Sequence, residues 1–118
     1  MTTEQEFSQK LETLEGNLNG FIAASIADID SGMTLVLRSN RPDFDLAAAS
    51  AFNSEMVKMK VKTIEALGLN SKLEDMLLTL DDQIHLIKLL DENTFMYLAV
   101  DSAQSNLGIV RRAVQNVS

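Results

Sequence analysis

The residues from Phe44 to Leu67, FDLAAASAFNSEMVKMKVKTIEAL, constrain this chain more than any other stretch. Projected on a helix at about 100° per residue, Ala48, Ala49, Phe52, Met56, Met59, Thr63, Ala66 and Leu67 form one mostly apolar stripe. Leu46, Val57, Val61 and Ile64 form a second beside it. Together they cover roughly 220°, broken only by Asn53 and Lys60, whereas a helix lying on one sheet needs a stripe only somewhat wider than about 100°. Either this is the central helix of a larger domain, or one stripe lies on its own sheet and the other on a second protein chain. A chain of 118 residues has little material with which to surround a helix, which favours the second arrangement.

That length fits one domain, residues 1–118, able to bury roughly two thirds of its unfolded surface. The absence of Cys excludes a disulfide framework and any thiolate nucleophile, and agrees with a reducing compartment. Apolar runs are too short to span a bilayer, and the start MTTEQEF lacks the basic and apolar regions of a secretion signal. The expectation is a soluble cytoplasmic protein without membrane insertion. A net charge of -7 with pI near 4.5 argues against binding nucleic acid, which needs Lys and Arg to displace counterions. It suits a basic partner surface, and equally serves solubility alone.

Thr3 and Glu6 have the spacing of a capping box, after which Phe7, Leu11, Leu14 and Leu18 keep a helical interval. Gly16 and Asn19-Gly20 close that first helix. Phe21 to Ile29 is apolar on both alternate faces, as in a strand covered from both sides. Asp30-Ser31-Gly32 is turn chemistry, and Met33 to Leu37 completes a hairpin. Pro42 turns the chain, Asp43 or Asp45 caps the long helix, and Gly68 stops it. Leu73 to Leu80 then alternates, with Met76, Leu78 and Leu80 on one face and Leu73, Asp75, Leu77 and Thr79 on the other. Ile84 to Leu90 and Thr94 to Val100 complete a meander, and Ser102 is expected to cap a last helix carrying Leu107, Val110, Val114 and Val117. The fold class is α+β, in the order α-β-β-α-β-β-β-α, with helices on both faces of one antiparallel sheet.

Little here can carry catalysis. One His and no Cys leave no catalytic, cofactor-binding or metal-ligating set to assemble, and His85 reads as a solvated or hydrogen-bonded strand residue. Asp28, Asp30 and Ser31 before Gly32 lack the remaining ligands of a calcium loop and read as a turn. Asp43 with Asp45, and Asp81 with Asp82, sit at element ends, where capping and solubility explain them. The five Gly are scattered singly, so no phosphate-binding loop is present. Arg111 and Arg112 read as a helix C-terminal turn against the dipole rather than as an arginine finger.

The hairpin ASIADIDSGMTL (24–35), the helix opening DFDLAAASA (43–51), the Leu67-Gly68 stop and the closing NLGIVRRAV (106–114) occur in an order that resembles the roadblock, or dynein light chain roadblock, family. The resemblance is to its small stand-alone bacterial members. It implies a five-stranded antiparallel sheet with one long helix on one face and two terminal helices on the other. It also implies a homodimer through the long helix and third strand, here Phe52, Met56 and Met59 with Leu73, Met76 and Leu78. The alternative, which the resemblance disfavours, is that the same three helix residues belong to an ordinary core.

By the same resemblance the chain is expected to be a non-catalytic platform, without cofactor, that binds and regulates a Ras-like small GTPase. Glu55, Lys58, Lys62 and Glu65 occupy the polar sector of the long helix and are the candidate partner-binding surface. Intrahelical Lys and Glu pairing explains those four residues as well. Two alternatives stay open: a nucleotide-independent scaffold subunit of a larger assembly, and a small-molecule sensor, which the tightly apolar core disfavours.

Overall fold

Two strands are apolar on both faces, and they define the middle of the molecule. In the computed structural model, which describes residues 2–118, these are β1 (Phe21–Asp28) and β5 (Thr94–Asp101). They lie side by side, antiparallel, and nearly every residue of each is buried. β2 (Thr34–Ser39) flanks β1, and β4 (Gln83–Leu89) then β3 (Asp75–Thr79) flank β5, giving the order β2-β1-β5-β4-β3 with every pairing antiparallel. The element order and the single antiparallel sheet agree with the expected fold class.

One face is covered by α1 (Thr3–Gly16) and α3 (Leu107–Val117). Leu11 and Leu14 from the first helix and Val110 and Val114 from the last pack there against Ile26, Leu86 and Leu98. The other face belongs to α2 (Leu46–Ala66), whose Leu46 and Val57 close a second cluster with Ile22, Ile87, Phe95 and Tyr97. No helix among the described residues is long and apolar enough to cross a membrane.

Several boundaries differ from expectation, each for a local reason. The capping box of α1 uses Thr2 and Gln5, not Thr3 and Glu6: Thr2 Oγ1 accepts from the Gln5 amide at 3.2 Å while Gln5 Oε1 accepts from the Thr2 amide at 2.8 Å. The sequence holds both overlapping frames. Ser102 does not begin α3; Asp101 Oδ1 accepts from the Ala103 amide in a turn, and Asn106 caps the helix by accepting from Ile109 at 3.0 Å. Of the two acidic candidates for capping α2, Asp45 does so, accepting from Ala48 at 3.0 Å. β3 begins at Asp75, so the alternation expected from Leu73 does not hold: Leu73, in the segment before the strand, packs into the same cluster as Met76.

Candidate interaction surface

α2 is the element to which the surface belongs, and its ends are firmly set. At its C-terminus Gly68, at φ 68°, donates to Glu65 and Leu69 donates to Ile64, the paired bonds of a Schellman stop. Leu46, Ser50, Ser54 and Val57 are its buried residues, so the stripe of Leu46 and Val57 is the one facing the sheet. Two serines extend it. Ser50 Oγ accepts from Thr34 Oγ1 at 2.8 Å, and Ser54 Oγ donates to the Ala51 carbonyl at 2.8 Å. Gly32, at φ 73°, lies so close that an added Cβ would stand 2.8 Å from Ser54 Oγ and 3.1 Å from Ala51 Cα. Small residues on both sides let the helix lie directly against the β1–β2 hairpin. Sequence periodicity missed this seam, because serine at a core position reads as polar and its partner is distant in the chain.

The contact with the hairpin fixes which flank of α2 is open. Phe52 and Met56 each lie roughly 160° around the helix from Ser54, at about 100° per residue. They are turned away from the hairpin, and Phe52 is 74% exposed and Met59 65%. Met56 is also exposed. Ordinary core is therefore not where these three side chains sit. On the same side of the sheet, the edge strand β3 presents Leu78, exposed and opposite His85, and Met76, half-buried and opposite Ile87. Leu73 is half-buried beneath α2.

The polar sector divides in two. Lys58 is tethered, its Nζ 2.9 Å from Glu55 Oε1 and donating to the Asp30 carbonyl at 3.1 Å. Lys62 and Glu65 stand on the rim of an open groove of about 990 Å³. Val57, Val61, Ile64, Leu73 and Leu89 line it, together with Lys58. The four residues expected on one outer surface thus do share a flank, with Lys58 partly spent on holding the hairpin.

His85 sits on the α2 face of β4 in an aromatic corner. Its Nε2 faces Gln83 Oε1 at 2.8 Å, and its Nδ1 lies 3.1 Å from the Tyr97 hydroxyl. A carbonyl oxygen only accepts, so the proton belongs on Nε2 and Tyr97 donates to Nδ1. Phe44 stacks on Tyr97 and meets His85 edge-on. Burial lowers the His85 pKa and pushes Tyr97 up to about 12. Arg111 departs from expectation: it lies within α3 and pairs with Asp75 of β3, so it does not serve the helix dipole. Asp28 is drawn into the hairpin turn, accepting from the amide and hydroxyl of Ser31, which lowers its pKa. No group of three or more His, Cys, Asp or Glu able to hold a metal ion occurs among the described residues.

No protein-family model matches the sequence, and no curated protein matches it. Solved structures do match. MglB of Myxococcus xanthus superposes with a TM-score of 0.87 over 99% of this chain and 85% of that one, at 12% identity. The gliding protein MglB of Thermus thermophilus gives 0.79 over 95% and 84%, at 14% identity. A Roadblock/LC7 domain from Streptomyces avermitilis gives 0.79 over 99% and 92%, at 11% identity. What is shared at such identities is the fold, and the chain has the roadblock fold.

Proposed function

We propose that this roadblock-fold chain is a homodimeric, non-catalytic platform that binds and regulates a Ras-like small GTPase. The observation that carries the reading is the uncovered apolar flank of α2. Leu46 and Val57 of its other stripe already fill the core, yet Phe52 and Met59 stand in solvent. Burying Phe52, Met56 and Met59 is worth roughly 1.5 to 3 kcal/mol each, before the cost of bringing two chains together is subtracted. In the proposed dimer the α2 helices pack through these residues, and β3 strands pair beside them through the segment of Leu73, Met76 and Leu78.

The outer flank is then the partner site. Glu55, Lys58, Lys62 and Glu65 of both copies would offer a charged rim around the apolar groove. A platform of this kind regulates by holding a partner's mobile switch segments in one arrangement, so it must bind one nucleotide state better than the other. No donated side chain is required.

Sedimentation equilibrium tests the first half. The native chain should show the mass of two copies or more, and F52E/M59E should lose the helix-mediated association while keeping its circular dichroism spectrum. A monomeric native chain would contradict the reading. The second half is tested by K58E/K62E, which should keep the association and lose partner affinity.

A further inference from the structure

The sheet has a second edge, at β2, which the helix-mediated contact does not use. Leu37 in this strand is 59% exposed, and Leu35 and the preceding Met33 are exposed too. The only charge within the strand, Arg38, is already paired with Glu15 of α1. Neither Lys nor Pro, the usual guards of an open edge, occurs in β2. The Asn40 amide donates to the Ile22 carbonyl at 2.9 Å. Backbone groups alternate in an antiparallel ladder, so the amide and carbonyl of Leu37 point to the open side. An irregularity opposite Ile26 and Ala27 is confined to the start of the strand, leaving Val36 to Ser39 in regular register.

We propose that this edge docks β2 of a second copy, antiparallel, with Leu37 opposite its own counterpart. Three features select that occupant. The outward amide and carbonyl of one residue are self-complementary about a two-fold axis, giving two hydrogen bonds at the centre. The same axis sets Leu37 against Leu37, apolar on apolar. The strand also runs from the acidic turn of Asp28 and Asp30 to the basic Arg41, so antiparallel pairing brings each basic end beside the acidic turn of the other copy. Neither the Asp30 carboxylate nor the Arg41 guanidinium has an ion-pair partner among the described residues.

Pairing at β2 does not depend on the α2 contact. If both operate, the two contacts lie on opposite edges of the sheet, each self-complementary, and the assembly is open-ended: mass grows with concentration instead of stopping at two copies.

The chain has no Cys, so L37C introduces a single thiol. Directly opposed residues in such a ladder lie about 5.5 Å apart at Cα, within the range a disulfide spans. Under mild oxidation L37C should link copies at least roughly tenfold faster than Q115C, an exposed control on α3, and should do so equally in an F52E background. Equal rates for L37C and Q115C, or loss of linking in F52E, would overturn the proposal. In sedimentation, D30R and R41D should each shift the mass distribution downward and the double variant D30R/R41D should restore it. A distribution unchanged by all three would also overturn it.

Discussion

Arg111 of α3 holds Asp75, the first residue of β3, with two hydrogen bonds, Nη2 to Oδ1 at 2.7 Å and Nε to Oδ2 at 3.2 Å. The strand so held is an edge, paired to β4 alone among the described residues, and carries Met76 and Leu78. A helix on one face of the sheet thereby pins the edge strand that carries Met76 and Leu78 on the other, the strand proposed above to pair with a second copy.

From this, R111A should loosen β3 without unfolding the protein. Amide hydrogen exchange should speed up in Asp75 to Thr79 and stay unchanged in β1 and β5, with only a small fall in melting temperature. R111K, which lacks the planar fork, should restore little of the protection. Uniform acceleration across the sheet would show that the pair serves global stability instead.

Gly32 and Gly68 share a left-handed φ but differ in surroundings, and the two substitutions separate the effects. At Gly68 nothing among the described residues lies near an added Cβ, so G68A should cost only the conformational strain, about 1 to 2 kcal/mol. At Gly32 the Cβ also meets Ser54 Oγ and the backbone of Ala51, so G32A should cost about 3 kcal/mol or more. Denaturant melts of the two variants measure the difference. Equal costs would mean that the hairpin yields freely to the helix.

His85 makes stability depend on pH. Its pKa in the folded chain is below the ordinary 6.5, because burial disfavours the imidazolium. The unfolded chain therefore binds the proton more readily, and the contribution of His85 is full above pH 6.5 and lost as pH falls through the folded value. The melting temperature of the native chain should drop from pH 7 into the mildly acidic range, and H85Q, which keeps a hydrogen bond to Tyr97 without titrating, should drop less. Parallel curves for the two proteins would contradict this.

Much of the fold was legible in the sequence, because the informative signals are local. Phe21 to Ile29 and Thr94 to Val100 are apolar on both faces, and only a central strand needs that. The two stripes of α2 showed that its apolar surface exceeds what one sheet covers. They did not show which stripe faces the sheet, since Phe52 and Val57 look equally fit for a core. That choice is made by Ser50, Ser54, Thr34 and Gly32, small groups whose closeness depends on contacts distant in the chain. The start of α3 was misplaced because the Asp101 turn and the Asn106 cap use the same short-range chemistry. Of the surface residues, the excess arc implied only that some apolar side chains would lie off the sheet, and the structure identifies Phe52 and Met59 among them, whereas the tether of Lys58 to the hairpin had no local signal.

A platform of the proposed kind must distinguish the nucleotide states of its partner. The most direct measurement is affinity capture with the purified chain from two parallel lysates of the source cell, one loaded with GDP and one with a non-hydrolysable GTP analogue. F52E/M59E and K58E/K62E serve as paired baits. One small P-loop GTPase should be captured by the native chain in a single nucleotide state and by neither variant. Capture of the same partners in both states, or retention by both variants, would contradict it.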